Sequence, residues 1–372
     1  MPEPGRLPQD RIVSLDLFRG FVMFLLVGEG TGLYRSFNLI TDPDSWLGMI
    51  AVQFRHHPWN GLRFWDLVQP YFMFIVGVAM WFSVQKRLAR GDSWSQVLRH
   101  IARRCLILLA LAIMIHSAYA GKLVWELWNV LAQLSFTILV AFLIMRLSVL
   151  TQLGVSFGLI LLTEILYRGT SIPGYDQPFV KDQNFGSFMD MVLMGKLHGG
   201  GGWVAINCIP TAAHTIWGVV AGKLLASSLA AGEKIQRLAV VGGIGLVVGY
   251  SLDWVGLVPI IKRICTSSFI LTSGGWCLVT LAFFYWLIDC RGVKSWTLFF
   301  AIVGMNSIFI YTFMETVGKH WFRDFVGIFV VGPLGWLAVP EQPALFVNGI
   351  VVLGLVWGLC FWLYRKRIFF KV

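Results

Sequence analysis

The sequence predicts an all-α protein, a polytopic bundle of transmembrane helices. Apolar residues make up 57% of the 372 residues and charged residues only 13%, whereas soluble domains carry about 25% charged residues. The mean hydropathy is +0.72. Apolar runs of roughly 18 residues or more, the length that crosses a bilayer core about 30 Å thick, recur along the whole chain. Together these observations exclude an ordinary soluble domain.

About ten spanning helices are predicted, preceded by a short polar tail at residues 1–13. Residues 14–372 then form a single transmembrane domain. A further apolar stretch, 323–340, contains Gly332, Pro333 and Gly335, which interrupt a helix, so we interpret it as a re-entrant or interfacial segment. The predicted spans lie at residues 17–34, 64–84, 103–120, 127–146, 149–166, 204–225, 236–253, 267–288, 295–314 and 345–364.

The distribution of basic residues predicts the orientation. With ten spans and both termini cytoplasmic, inside segments hold 18 of the 30 Lys and Arg residues and outside segments hold 11, as the positive-inside rule requires. The loops that contain His56 and His198 are then extracytoplasmic, and the chain is a multi-pass protein of the inner cell membrane. The net charge of +11 follows from these topology signals and does not indicate a nucleic-acid partner.

The six cysteines lie in or beside apolar runs without paired spacing, so neither a disulfide framework nor a metal site is expected. The first apolar run is long and lacks a small-residue cleavage site. We therefore expect it to remain in the protein as a helix rather than to act as a cleaved signal peptide.

A polar stretch from His56 to Pro70 precedes the long apolar run Tyr71–Val84 of the second predicted span. Histidine gains and loses a proton near neutral pH, so His56 or His57 could act as a general base or as an acyl-carrying nucleophile. Asp66 could orient the imidazole, and Asn60 could cap the helix or donate to an oxyanion. The alternative is interfacial anchoring by Trp59 and Trp65 in an aromatic belt. Residue spacing leaves both interpretations open.

The first helix carries three ionisable residues. Asp16 and Arg19 lie three apart on one face, either as a structural pair or as part of a site. Glu29 lies thirteen residues beyond Asp16, about 20 Å along a helix, and is a second candidate partner for the histidine. Ionisable groups inside a span are costly and usually have a partner or a function.

Several other polar groups are candidates with simpler alternatives. Lys262 and Arg263 precede a helix that opens with hydroxyl residues, which are mostly caps. A lone His214 within a span is usually satisfied by a neighbour. In one later span Asn306 is followed by a stripe of polar residues at every fourth position, which indicates a cavity more than lipid contact; this stripe contains Ser307, Tyr311 and Glu315. Three arginines, Arg99, Arg103 and Arg104, either signal topology or seat the phosphates of an anionic ligand.

Five stretches of the chain resemble the heparan-alpha-glucosaminide N-acetyltransferase family of transmembrane acyltransferases. They occur in order from near the N-terminus to the C-terminus: SLDLFRG at 14–20, HHPWNGLRFWDLVQPYFMFIVG at 56–77, GLVPIIKRICTSSFILTSGG at 256–275, GMNSIFIY at 304–311 and LYRKRIFFKV at 363–372.

The resemblance implies an enzyme that takes acetyl from cytoplasmic acetyl-CoA and gives it to the amine of a terminal glucosamine across the membrane. The family's catalytic histidine precedes Trp-Asn-Gly by three positions, which is His56 here. A family asparagine in the first helix corresponds to Gly30, so we expect the adjacent Glu29 to partner His56. Asp66 and Asn60 complete the expected catalytic set. The expected acetyl-CoA-binding residues are Asp16, Arg19, Arg103, Arg104, Lys262, Asn306 and Tyr311.

Two other function classes remain as alternatives. A transporter of a small polar solute would use Glu29, Asn306 and Tyr311, and would show solute flux without CoA chemistry. A non-catalytic membrane scaffold would not bind acetyl-CoA. The expected partners of the enzyme are acetyl-CoA, an amino-sugar or glycan acceptor and membrane lipid, and a homodimer is left open. The acceptor, the acyl chain length and the choice between direct transfer and an acetyl-His56 intermediate are not determined by the sequence.

Overall fold

The computed structural model describes residues 12–370 and contains only helices and non-helical turns and loops within that range; about 75% of these described residues are helical. The predicted all-helical class is therefore confirmed. Short π-helical segments continue two of the helices, at Tyr285–Cys290 and Met314–Phe322. In chain order the α-helices are α1 (Val13–Gly30), α2 (Leu33–Ile40), α3 (Trp46–Val52), α4 (Val68–Ala89), α5 (Trp94–Ala120), α6 (Val130–Ile144), α7 (Val149–Gly169), α8 (Phe185–Met194), α9 (Cys208–Ala226), α10 (Ala231–Trp254), α11 (Ser267–Phe284), α12 (Thr297–Met305), α13 (Ser307–Phe313), α14 (Arg323–Trp336) and α15 (Glu341–Arg365).

Six helical segments between residues 12 and 370 are long and apolar enough to cross a membrane. A seventh is present if α12 and the helix from Ser307 to Trp336, which meet at a bend of 73°, count as one span. The predicted number of about ten is thus not confirmed. The six segments are Phe64–Ala89, Trp94–Ala120, Val149–Gly169, Ala231–Trp254, Ser267–Cys290 and Glu341–Arg365.

The remaining predicted spans are helical but differ from an ordinary spanning helix. Within α1, Asp16, Arg19 and Glu29 interrupt the apolar run. The 15 residues of α6 extend about 22 Å, less than the roughly 30 Å hydrocarbon core. The predicted re-entrant stretch 323–340 contains α14, which keeps Pro333 inside its last turns.

Two compact units can be distinguished in the chain. The first contains the described residues up to His56, the short segment Arg63–Val68 and the residues from Phe284 onward. The second contains His57–Leu62 and Gln69–Phe283. The polar stretch around His56 is therefore divided between the units. Whether the chain forms the single domain expected from the sequence stays a prediction.

In the first unit, α1 packs closely against α12. A Cβ atom on Gly20 would lie 2.0 Å from the carbonyl oxygen of Phe300, and one on Gly304 would lie 2.9 Å from the Cα of Gly20. Only glycine permits this approach of two backbones, the usual device at helix crossings in membranes. The N-terminus of α1 is capped by a residue that is distant in the sequence. The Asp289 carboxylate accepts hydrogen bonds from the N–H groups of Val13 at 3.0 Å and Ser14 at 3.2 Å.

In the second unit, α4 and α9 cross in the same way. A Cβ on Gly77 would lie 2.1 Å from the carbonyl oxygen of Thr215, and one on Gly218 would lie 2.1 Å from that of Phe74. Buried polar groups join neighbouring helices here: His214 Nε2 on α9 lies 2.9 Å from Ser273 Oγ on α11, so one ring nitrogen of His214 has a partner on a neighbouring helix. Lipid tails are as apolar as the helix surfaces, so apolar contact alone does not favour helix association in a membrane. Close packing at small residues and hydrogen bonds between helices stabilise this unit instead.

Candidate active site

The first unit places His56 beside a carboxylate. Nδ1 of His56 lies 2.8 Å from Oδ1 of Asp66. His56 follows the end of α3, and Asp66 lies in the 3-10 turn Phe64–Leu67. This turn is held against the end of α3, because the N–H of Trp65 donates to the carbonyl of Gln53 at 2.9 Å. Local turns from two chain segments therefore bring the pair together.

The carboxylate of Asp66 is buried and fixed, whereas the imidazole is accessible. The Asp66 side chain is 1% exposed and that of His56 is 37% exposed. The second oxygen of Asp66 accepts the N–H of Arg63 at 3.0 Å, and Arg63 Nη1 donates to the carbonyl of His56 at 2.9 Å. Because Nδ1–H donates to Asp66, the lone pair resides on Nε2, and Asp66 can stabilise the imidazolium when Nε2 takes a proton.

Aromatic rings pack behind this pair. The ring of Trp65 lies 6.3 Å from that of His56, and Tyr34 packs edge-on to Trp65 at 5.3 Å and stacks on Phe54 at 4.7 Å. Trp65 thus lies beside the imidazole and is itself packed against Tyr34.

Glu29 does not form the expected pair with His56. Its Oε2 lies 3.3 Å from Lys319 Nζ, and the same ammonium contacts Glu315 at 2.7 Å. Lys319 and Glu315 lie on the π-helical segment that follows α13, which faces the C-terminal end of α1. The structure thus has Asp66 at the imidazole and Lys319 at Glu29, and the catalytic role expected of Glu29 stays a prediction.

Four residues expected to bind acetyl-CoA lie in the first unit. Asp16 and Arg19 form an ion pair at 2.9 Å near the start of α1. The amide of Asn306 binds the C-terminal segment, donating to the carbonyl of Ile368 at 3.1 Å and accepting the N–H of Phe370 at 2.9 Å. Asn306 is the residue that separates α12 from α13, so both hydrogen bonds are formed at the break between these helices. Tyr311 lies half-buried on α13.

Asn60 and Lys262 lie in the second unit. Asn60 is exposed, in the bend His57–Leu62 whose Gly61 N–H donates to the carbonyl of Ile260 at 2.8 Å. The neighbouring Trp59 donates its indole N–H to the carbonyl of Phe179 at 2.8 Å. Lys262 is buried and its ammonium lies 5.4 Å from the centre of the Trp203 ring. These residues therefore belong to one group of loops.

Arg103 and Arg104 lie at a different level of the second unit. Both are on α5, which also carries His116. His116 is twelve residues beyond Arg104, or about 18 Å along the helix. A chain of contacts links His116 to the loop of Lys262 through Trp128, His198 and Gly201. The two arginines are thus well separated from Lys262.

The sequence analysis missed a cluster of titratable groups at the His116 end of α5. Glu126 contacts Nδ1 of His116 at 2.6 Å and Nζ of Lys196 at 2.5 Å. Burial alone would raise the pKa of Glu126, but hydrogen bonds from Lys196 and His116 hold this pKa below its ordinary value. The indole of Trp128 donates to Asp190 at 2.7 Å. A histidine at the end of an apolar run with an acid in the next loop was the available signal.

Two further groups of this cluster have shifted pKa values. Burial raises the pKa of Asp190 to about 6, even though Ala205 N–H and the Trp128 indole donate to it. Burial also lowers the pKa of His198, and the positive charge of Arg263 acts in the same direction. Between residues 12 and 370 no three His, Cys, Asp or Glu side chains are arranged to hold a metal ion.

Two curated proteins are similar to this chain along its whole length. Heparan-alpha-glucosaminide N-acetyltransferase of Homo sapiens is 26% identical over 429 residues, covering 97% of this chain and 60% of the human protein. The enzyme of the same name from Mus musculus is 25% identical over 438 residues, covering 100% of this chain and 62% of the mouse protein. No protein-family model matches the sequence. The chain thus spans about 60% of the length of the curated relatives it matches, and its predicted resemblance to the heparan-alpha-glucosaminide N-acetyltransferases is confirmed.

Proposed function

We propose that this chain is an integral membrane acyltransferase that moves an acetyl group from acetyl-CoA to the amine of an extracytoplasmic amino sugar or glycan. The hydrogen bond between His56 and the buried Asp66 is the observation that carries the proposal. It supplies the base and the orienting acid that acyl transfer requires. The similarity to two N-acetyltransferases supports the choice of reaction.

In the direct route, Nε2 of His56 accepts a proton from the acceptor amine as the nitrogen attacks the thioester carbonyl. The carbon–nitrogen bond forms, the carbon–sulfur bond breaks, and the leaving CoA sulfur receives the proton from the imidazolium. Asp66 stabilises the imidazolium between these steps. We assign Asn60 the role of hydrogen-bond donor to the oxyanion that develops on the carbonyl. A hydroxyl acceptor would react in the same way.

In the two-step route, Nε2 of His56 itself attacks the thioester. Acetyl-His56 forms as the carbon–sulfur bond breaks and CoA leaves as its thiolate. The acceptor amine then attacks the acetyl carbonyl, the bond to Nε2 breaks, and the released imidazole takes up the proton of the amine. Both routes use the same residues and give the same products, CoA and an N-acetylated sugar. They differ in whether acetyl resides on the protein before the acceptor arrives.

The proposed donor, acetyl-CoA, carries phosphates that cationic side chains can bind. Arg103 is exposed and Arg104 is half-buried on α5, a position suited to contact with a soluble nucleotide. Arg19 is half-buried but already paired with Asp16, and Asn306 is engaged by the C-terminal segment. We propose Arg103 and Arg104 as the principal phosphate ligands, while Arg19, Asp16, Asn306, Tyr311 and Lys262 remain proposed acetyl-CoA-binding residues without an assigned contact.

The function is tested by measuring free CoA thiol released from acetyl-CoA by the purified protein with and without glucosamine. The His56→Ala variant should lose glucosamine-dependent release by at least two orders of magnitude, because its base and orienting pair are gone. The neighbouring His57→Ala variant is the matched control and should keep most of the activity. Unchanged turnover in His56→Ala would contradict the assignment.

The two routes are separated by incubation with acetyl-CoA carrying a labelled acetyl group. Label retained on His56 without acceptor, and released on adding glucosamine, supports the acetyl-His56 intermediate. Sequential kinetics with no retained label support direct transfer.

A further inference from the structure

The second unit contains an elongated apolar groove that the proposed acetyl transfer does not use. It lies between α7, α9, α10 and α11 and has a volume of about 670 Å³, within the range typical of small-molecule sites. Three of these helices, α7, α10 and α11, are long and apolar enough to span a membrane. The groove is therefore lined mainly by segments that are able to lie at bilayer depth.

The length of the groove matches one leaflet. Its lining on α10 runs from Arg237 to Val248, eleven residues or about 16 Å along the helix. Half of a hydrocarbon core about 30 Å thick is of the same length. An acyl chain that enters at the membrane surface would thus reach the bilayer middle along this groove.

One end of the groove is basic and the other is apolar. Lys223, Arg237 and the hydroxyl residue Ser227 line the same end, where Lys223 Nζ also donates to the carbonyl of Leu147 at 3.1 Å. Two of the apolar residues at the far end are Phe157 and Trp217, whose rings are 6.0 Å apart.

The charge at the basic end is only partly balanced. Arg237 pairs with Glu233 at 2.6 Å. Lys223 has no carboxylate partner among the described residues, and its ammonium lies 5.2 Å from the centre of the Trp81 ring. A negatively charged group at this end would find one unpaired ammonium and one guanidinium with unused N–H donors.

The floor of the groove is formed by a close helix crossing. A Cβ on Gly275 would lie 2.7 Å from the carbonyl oxygen of Gly242, and one on Gly245 would lie 3.1 Å from that of Leu271. These glycines join α10 to α11. On the same stretch of α10, Val241 and Ile244 line the groove and remain 56% and 58% exposed, so an acyl chain would bury apolar surface there.

We propose that this groove binds one anionic glycerophospholipid, with an acyl chain along α10 and the phosphate at Lys223 and Arg237. The combination of leaflet depth, apolar walls and cations at one end fits this ligand. The groove contains no acid or base near its middle that would serve catalysis. The inference is independent of the proposed acetyl transfer.

The test uses the full-length protein, purified in a neutral detergent and stripped of lipid. Dioleoylphosphatidylglycerol and dioleoylphosphatidylcholine are added separately, and both the thermal midpoint and bound lipid by native mass spectrometry are recorded. The phosphatidylglycerol should raise the midpoint and bind with one molecule per chain. Because each basic side chain at a membrane surface contributes to anionic lipid attraction, the double variant Lys223→Ala/Arg237→Ala should bind it roughly tenfold or more weakly.

Matched variants locate the acyl chain. Val241→Trp places a large ring in the groove and should abolish the single bound lipid. Its neighbour Val240 is also exposed, at 53%, but lies outside the groove lining, so Val240→Trp should bind lipid normally. Arg90→Ala, at an exposed cation elsewhere, is the charge control.

Three results would overturn the proposal. Equal binding of phosphatidylglycerol and phosphatidylcholine would remove the assignment of an anionic head group. Equal binding by Val241→Trp and the wild type would show that the groove is not the site. Equal losses in Val240→Trp and Val241→Trp, with both variants eluting as monodisperse protein, would indicate general coating of α10 rather than a single site.

Discussion

A carboxylate that orients a histidine must reach a ring nitrogen, and Asp66 does so at 2.8 Å while remaining 1% exposed. Glu29, which is 43% exposed, contacts Lys319 instead. The two acids therefore have different tasks. Asp66 fixes the tautomer and stabilises the imidazolium of His56 in the proposed reaction, whereas Glu29 joins α1 to the helical segment that follows α13.

Removing the negative charge of each acid distinguishes these tasks. Asp66→Asn should lower kcat by about 10² to 10⁴, because the imidazole loses its preferred tautomer. Glu29→Gln should lower kcat by less than about tenfold, since Lys319 keeps its contact with Glu315 at 2.7 Å. Both values come from acetyl-CoA turnover with glucosamine, with folding checked by gel filtration. Equal losses in the two variants would contradict this division.

The pKa of Glu126 gives a second prediction for single residues. Because its pKa is below the ordinary 4.5 in the folded state, its charge stabilises the fold above pH 4.5, and this contribution disappears as the pH falls through the lower, folded-state pKa. Glu126→Gln should therefore lose roughly 1.5–3 kcal/mol at pH 7. The difference in thermal midpoint from wild type should narrow below pH 4.5.

The control for this pH dependence is Glu341→Gln, at an exposed acid in the first turn of α15. The thermal midpoint of Glu341→Gln should equal that of the wild type at pH 7 and at pH 4. A gap between wild type and Glu126→Gln that stays constant from pH 7 to pH 4 would show that the ionised carboxylate is not responsible.

At the scale of helices, backbone contact at glycine decides how α1 and α12 pack. The crossing at Gly20 and Gly304 leaves no room for a Cβ, whereas a Cβ on Gly354 would meet no atom within 4 Å. Asn306 then ends α12, and its amide binds the backbone of the C-terminal segment. The predicted span 295–314 contains this break, and the helices on its two sides meet at a bend of 73°.

Gly20→Ala should destabilise the protein by about 1–3 kcal/mol, because the added methyl group would meet the carbonyl of Phe300 at 2.0 Å. Gly354→Ala is the matched control, since Gly354 also lies inside a helix and has no atom within 4 Å of its added Cβ. That substitution should be neutral or stabilise by up to about 1 kcal/mol. Thermal unfolding in detergent measures both, and similar midpoints would argue against the close crossing.

At the scale of the whole molecule, topology remains a prediction. Ten spans with cytoplasmic termini would place Asn60 and Lys181 outside and Arg90 and Lys366 inside. Single cysteines at these positions, introduced after Cys290 is changed to serine, should react with a membrane-impermeable maleimide from opposite sides of sealed cells and inverted vesicles. Labelling of Asn60→Cys and Arg90→Cys from the same side would require an even number of crossings between them and would contradict the predicted orientation.

The sequence by itself determined the helical class and the positions of the apolar segments, and its resemblance to the N-acetyltransferases selected His56 as the candidate base. These properties depend on local composition, on apolar run length and on short motifs, all of which can be read along one dimension. The number of helices able to span was less predictable, because ionisable residues in α1, the shortness of α6 and the bend at Asn306 depend on details within each run.

Only the tertiary structure decided which polar groups meet. Asp66 is paired with His56 through a turn held by the end of α3, Glu29 is paired with Lys319 some 290 residues away, and Asp289 caps α1 across a sequence separation of 276 residues. The groove between α7, α9, α10 and α11 likewise arises from four separate segments. For the polar pairs, more than one segment of the sequence carries a chemically suitable partner. Which partner is reached depends on how the helices pack, and helix packing is a tertiary property.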